Sequence, residues 1–424
     1  MNLDYFIDSH CHLFTMADVP LTETIKRKQK DIRHPVAMLI LPFTGFVSIK
    51  KFVPFIQFFE SESEQNAHRL TAQVLKALET HDIKAANTII IPLIMDFDIN
   101  GQVNKLSGQV RRLKDAVSTI DKINIFPFLG LDPRRFIYQD RSSTLRGSGD
   151  LLDHLNSYLD QFELRSRDQR LDFANLKNGD IIGIKLYPPL GFDVMPDPAN
   201  ERSAYITFYK ALLERDIPIT VHCQEDSFEL TRDHDQTCYF TKPDNWARVL
   251  GEEGGLDKLR INFAHLGGED GVKNTIRWIT RNEGEYDEYY TVANDVNVNS
   301  WTFKIIKMLK QYRNTYSDIS AYDFGDPQSV ASLLWLIVYD EAGKFDDVGQ
   351  HKLLDKLLWG SDYPMILSEY KNYNSYFRAF NRLIGCVADA EETYVLPKEN
   401  QMPPREELFK RLTQDNPKKF LFGA

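Results

Sequence analysis

Two histidines two positions apart, His10 and His12, stand in the run Asp8-Ser9-His10-Cys11-His12. Side chains alternate along a strand, so both imidazoles would point to one side and could hold a single metal ion. An isolated pair of this kind is equally a pair of buried histidines. Later runs shift the balance. His222 lies near the end of Ile-Thr-Val-His-Cys-Gln, His265 closes Asn-Phe-Ala-His ahead of Leu-Gly-Gly, and Asp362 closes Trp-Gly-Ser-Asp ahead of Tyr-Pro. In each, one polar residue interrupts an apolar run at its C-terminal end. Imidazole nitrogens with one carboxylate suit Zn²⁺, and also Mn²⁺ or Fe²⁺.

Bringing these residues together takes a repeating scaffold. Runs rich in Ile, Val, Phe and Tyr recur at 6–13, 88–95, 123–130, 181–188, 217–224, 261–268, 315–322 and 357–364. Stretches with helical spacing, such as 66–81 and 301–313, separate them. Strand–helix alternation implies parallel pairing through right-handed crossovers. Eight such strands predict an α/β fold, a closed (β/α)8 TIM barrel with helical insertions. Active sites of such barrels gather at the C-terminal ends of the strands, where the polar residues fall.

The surplus length goes into insertions. The largest, 14–87, follows strand one and is expected to be helical, forming a cap or a dimer contact. Its stretch from Pro35 to Phe59 is apolar, with Phe43, Phe46, Phe52, Phe55, Phe58 and Phe59 along it. No Pro/Gly/Ser-rich linker divides the chain, so 1–424 reads as one domain.

Composition narrows the function classes. Hydrophobic residues make up 42% and charged residues 26%, which excludes disorder and coiled coil. The net charge of −10, with no basic run beyond Lys26–Lys30, argues against a nucleic-acid partner. Cys11, Cys223, Cys238 and Cys386 form no Cys-x-x-Cys pair and fit reduced thiols in a cytoplasm. The N-terminus lacks a basic region followed by an apolar one, so no secretory signal is expected. Residues 35–49 are too short for a membrane span and are interrupted by Pro42 and Gly45.

In this order, Asp-Ser-His-Cys-His, Thr-Val-His, Ala-His-Leu-Gly-Gly and Gly-Ser-Asp-Tyr-Pro resemble the amidohydrolase superfamily. Asp132-Pro-Arg-Arg135 and Gly183–Phe192 also look like the branch that includes aminocarboxymuconate-semialdehyde decarboxylase. The resemblance runs from residue 7 to Asn416–Phe422; the stretch 14–87 matches no part of the family. It implies one divalent metal, zinc first, held by His10, His12, His222 and Asp362. His265 would be a further ligand or a base, and the branch favours the base. The metal would lower the pKa of a water and polarise a carbonyl, with Asp362 or His265 accepting the water's proton. The expected activity is hydrolysis of an amide, ester or lactone bond in a small anionic substrate. The alternative is a metal-dependent non-oxidative decarboxylase.

Other residues bear on the substrate. Lys185, in the fourth strand, becomes a metal-bridging carbamate in binuclear members of the superfamily. Unmodified, it could bind an anionic group, or simply lie buried beside a carboxylate. A mononuclear site with an unmodified Lys185 is expected. Arg134 could clamp a carboxylate through its planar fork, or form a surface ion pair. Tyr187 could line the pocket or pack in the core. Cys11 and Cys223 point away from the metal side by strand parity and read as packing residues. Gly267-Gly268 reads as a tight turn. Asn416-Pro417 reads as the start of a final helix.

Overall fold

The computed structural model describes residues 1–15, 18, 53–97, 106–139, 144–224, 239–252, 254–282, 300–383 and 404–423. The strands are β1 Asn2–Cys11, β2 Lys84–Pro92, β3 in two pieces Asn124–Ile125 and Phe128–Gly130, and β4 Gly183–Leu186. They continue with β5 Ile219–Gln224, β6 Ile261–Gly267, β7 Thr315–Asp318 and β8 Leu357–Leu358. Neighbours in sequence pair in parallel, from Phe6 opposite Thr88 to Ser317 opposite Leu357. Pro127 breaks β3 because it has no N–H for the ladder. A parallel bridge from Leu93 to Phe128 carries the sheet across the break.

The ring closes between β8 and β1. The Ser9 N–H donates to the Trp359 carbonyl at 3.1 Å, Asp362 N–H to the His10 carbonyl at 2.7 Å, and His12 N–H to the Tyr363 carbonyl at 2.6 Å. The result is the (β/α)8 barrel that the spacing of the runs predicts. Gly360 permits the closure, since a Cβ there would sit 2.6 Å from the Cβ of His10.

Helices cover the outside. Ser63–Thr80 buries Ala67, Leu70, Thr71, Val74, Ala77 and Leu78, whose steps of three and four give one apolar face. Pro327–Glu341 begins at Asp326, whose carboxylate caps the N–H groups of Gln328 and Ser329. Of the apolar insertion, residues 35–52 lie outside the described residues. Its end forms the helix Val53–Glu60. There Phe58 meets the ring of Tyr363 at 5.2 Å and Phe59 meets Phe14 at 5.4 Å. Among the described residues no helix is long and apolar enough to cross a membrane.

The two ends of the barrel interior differ. The end at the strand N-termini is filled by Ile7, Ile89, Phe126, Ile182 and Tyr316, with Phe420 and Phe422 from the helix Asn416–Phe422. Phe420 lies 5.5 Å from Tyr316 and 6.1 Å from Phe128, ring centre to ring centre. The Asn-Pro pair falls at the start of that α-helical segment, but Asn416 is itself helical, with φ of −70° and ψ of −46°, and does not cap it. The chain is already helical from Arg405, and a wide π turn at Arg411–Asp415 precedes Asn416. Pro417 can give no N–H to the turn before it, and the π turn accommodates that loss. The Leu412 carbonyl instead accepts the Trp359 N–H at 2.8 Å. The Asn416 amide binds the carbonyls of Leu354 and Leu357 at 2.7 and 2.8 Å. These contacts seat the plug. Phe420→Ala is expected to cost about 3–5 kcal/mol, read from denaturant midpoints at unchanged slope. A shift under about 1 kcal/mol would mean that the ring carries none of this packing.

Candidate metal centre and the network behind it

The opposite end carries the polar residues. His10 and His12, at the end of β1, have ring centres 5.3 Å apart and are both buried. Asp362 follows β8 with φ of 55°, a turn that aims its carboxylate across the seam toward β1. Its Oδ1 lies 3.4 Å from His10 Nε2 and 3.3 Å from His12 Nε2. Ligands about 2.0–2.1 Å from a tetrahedral zinc stand roughly 3.3 Å apart. The three atoms therefore have the mutual spacing of a metal's ligand set.

Proton positions sharpen the point. His12 Nδ1 lies 2.9 Å from the Leu93 carbonyl, and His10 Nδ1 lies 3.0 Å from Asp318 Oδ2. Both oxygens can only accept, so both Nδ1 atoms carry protons. His10 Nε2 is buried and makes no hydrogen bond. Burial first, and then the charge of Lys185, push the His10 pKa down to about 4, although Asp318 and Asp362 oppose the shift. At neutral pH its Nε2 is thus an electron pair facing a carboxylate. Burial works to raise the Asp362 pKa, but His12, His10 and His265 around it hold the group below the usual carboxylate range. An electron pair against an ionised oxygen is repulsive unless a cation lies between them. The residues fit a divalent metal.

His10, His265 and Asp318 form a second group of donor atoms within 4.8 Å of one another. This one is already filled. The Ser320 hydroxyl sits in it, 3.1 Å from His10 Nδ1 and 2.9 Å from His265 Nδ1, and also bonds Asp318. It is a hydrogen-bond network backing the first group.

His265 ends β6 in a left-handed run: φ is 71° at His265, 49° at Leu266, 78° at Gly267 and 88° at Gly268. The turn expected from the paired glycines is there. A Cβ at Gly267 would meet the Thr302 nitrogen at 2.7 Å. Asp318 steadies the strained start by accepting the His265 N–H at 3.1 Å.

His222 stands one ring further along. Its centre is 4.9 Å from that of His265 and 4.8 Å from that of Tyr187. It does not join the close group of His10, His12 and Asp362, so three of the four expected ligands come together tightly. Lys185 is buried, its ammonium without a hydrogen bond among the described residues, in the field of Asp318 and Asp362. Its pKa is lowered to about 8, by burial against the pull of those two carboxylates.

Arg134 corrects the expectation of a carboxylate clamp. Its fork is taken by Asp132, with Nε at 3.0 Å and Nη2 at 2.7 Å, and by the carbonyls of Gly191 and Leu190 at 2.9 and 3.1 Å. It ties the loop after β3 to the loop after β4. Arg135 does the same with Asp96 at 2.6 and 2.7 Å. Cys11 and Cys223 are buried on the core side, and burial pushes both thiols up, which leaves them unreactive.

Asp318 and Ser320 are absent from the residues singled out by sequence. Asp318 is the last residue of β7, but Thr315, Tyr316 and Ser317 before it are not the apolar run that sets off His222 and His265. Asp before Ile-Ser also reads as an ordinary turn.

The family model described as amidohydrolase matches residues 174–423. Among solved structures, the chain is similar to a probable 2-pyrone-4,6-dicarboxylic acid hydrolase from Acinetobacter baumannii with citric acid bound. Identity there is 12%, over 99% of this chain and 99% of that one, with a TM-score of 0.44. An amidohydrolase from Burkholderia multivorans with bound zinc is 12% identical over 99% of both chains, with a TM-score of 0.42. A uronate isomerase from Bacillus halodurans is 10% identical over 98% of this chain and 93% of that one, with a TM-score of 0.46. No curated protein matches the chain. The family model spans more than half of the sequence, and the chain belongs to the amidohydrolase family, as a metal-dependent hydrolase of that type.

Proposed function

We propose that this chain holds one divalent metal ion, zinc fitting best, between His10, His12 and Asp362, with His222 beside them. It would use the ion to hydrolyse an amide, ester or lactone bond in a small anionic substrate. The observation that supports this most is the approach of two Nε2 atoms to one carboxylate oxygen, at 3.4 and 3.3 Å, where His10 carries no proton to bridge the gap. A metal there supplies Lewis acidity, polarising a carbonyl and making a water acidic near neutral pH. Asp362 would take the proton of the attacking water, and His265, whose ring centre lies 4.9 Å from that of His10, is the second candidate for that work. Lys185 holds the anionic group of the substrate, and Tyr187 borders the same pocket. Lys185 acts as an amine, not as a carbamate, and the site is mononuclear. Phe58 and Phe59 pack on Tyr363 and Phe14 beside β8 and β1, which supports a cap or a dimer contact at this part of the insertion after β1.

Elemental analysis should find one metal per chain. The pair His10→Ala and His12→Ala should abolish it while the circular dichroism spectrum stays that of a folded barrel. A folded double mutant with stoichiometric metal would sink the assignment.

Lys185 also favours a second reading. A buried cation that has no ion-pair partner among the described residues suits a substrate carboxylate that leaves as CO2. Scoring a panel of small acids for CO2 release against hydrolysis separates the lyase from the hydrolase.

A further inference from the structure

Behind the pocket, one buried carboxylate collects the hydrogens of several donors. Asp318 Oδ2 accepts from His10 Nδ1 at 3.0 Å and from the Asn262 amide at 2.7 Å. Its Oδ1 accepts the backbone N–H groups of His265 at 3.1 Å and Ser320 at 3.2 Å, and also the Ser320 hydroxyl. His265 Nδ1 lies 2.9 Å from the Ser320 hydroxyl oxygen and 3.3 Å from the Ser320 carbonyl.

The hydrogens can be counted. A carboxylate and a carbonyl only accept. His10 Nδ1 must therefore be protonated to meet Asp318, and His265 Nδ1 must be protonated to meet the Ser320 carbonyl. The single hydroxyl hydrogen of Ser320 goes to Asp318, and its two electron pairs remain for the two imidazole N–H groups. Every donor finds an acceptor, and each imidazole hydrogen is shared between two: that of His10 between Asp318 and the Ser320 hydroxyl oxygen, that of His265 between the Ser320 hydroxyl oxygen and carbonyl.

We infer that Asp318 and Ser320 act as one positioning device that fixes His10 and His265 in the same tautomer, with the proton on Nδ1. Both Nε2 atoms are thereby kept as electron-pair donors. For His10 this rests on the proposed metal site, and it makes the ring a ligand. For His265 it makes the ring a proton acceptor, not a donor, when turnover starts. Asp318 is itself neither ligand nor base.

The tautomers can be read without metal or substrate. Full-length protein labelled with ¹⁵N-histidine and stripped of metal would be examined by long-range ¹H–¹⁵N spectra at neutral pH. Signals of His10 and His265 would be identified from His10→Gln and His265→Gln. Both should show a protonated Nδ1 and a bare Nε2; either one with its proton on Nε2 overturns the inference. Asp318→Asn presents an amide that can donate to His10, so the His10 tautomer should reverse. Zinc affinity, measured by chelator competition, should then fall about 10–100-fold. Unchanged tautomer and affinity in a folded Asp318→Asn protein would also overturn it.

Ser320→Ala removes one oxygen and guards against a fold lost in the first variant. It should leave His10 unchanged and turn His265 into a mixture of tautomers. An unaltered His265 signal would remove Ser320 from the device. Wild-type protein with these tautomers but no affinity for zinc would sink the metal reading and leave the present inference standing. Zinc binding with reversed tautomers would do the opposite.

Discussion

Asp362→Asn is expected to lower kcat by at least about 10²–10⁴-fold, the range for loss of general acid–base work alone, with a much smaller change in KM. On the proposed mechanism the carboxylate would be both ligand and base, and asparagine can be neither. Its amide cannot take a proton from water at neutral pH. Turned toward His10 and His12, its N–H groups would satisfy the two Nε2 electron pairs that now face Oδ1 at 3.4 and 3.3 Å. The variant should therefore also bind zinc more weakly, and loss of metal would add to the loss of rate. Steady-state kinetics at saturating metal separate the two contributions. A kcat within a few-fold of wild type would exclude Asp362 from the chemistry.

Replacement of Lys185 by methionine should move activity and stability in opposite directions. Folding lowers the Lys185 pKa from 10.5 to about 8, chiefly through burial. The unfolded chain therefore holds this proton more tightly. The cost of enclosing the charge is fully present below pH 8 and is relieved as pH rises toward the unfolded value. At pH 7 that cost is about 3 kcal/mol. Metal-free Lys185→Met should then be more stable than metal-free wild type at pH 7, and the gap should close by about pH 10.5. Loss of a charge-assisted contact to the substrate should lower kcat/KM by about 10–100-fold. In the wild type, kcat/KM should decline above about pH 8 as the amine loses its charge. A variant that is less stable and fully active would make Lys185 a packing residue.

The barrel was legible because its signals are local. A strand of this fold is an apolar run of fixed length, and a functional side chain shows as the polar residue that ends it. His10, His12, His222, His265 and Asp362 were singled out in that way. Asp318 was not, because its meaning depends on the barrel bringing it from β7, past the intervening β8, to His10 on β1, 308 residues away in the chain. Arg134 shows the reverse failure. Of the two roles open to its fork, clamp or ion pair, the ion pair with Asp132 is local, two residues away, while the carbonyls of Leu190 and Gly191 come to it only once β3 and β4 are paired. The π turn is a third case. Pro417 beside Asn416 is the usual mark of a helix start, and only the Trp359 N–H waiting for the Leu412 carbonyl makes a continuous helix the better arrangement.

The aromatic plug at the strand N-termini bears on the side from which the proposed site can be reached. Phe420 and Phe422 are buried there with Ile7, Ile89, Phe126, Ile182 and Tyr316, so among the described residues the floor of the barrel is filled. Substrate and product of the proposed reaction would then share the other end, where the strands finish, and arrival would wait on departure.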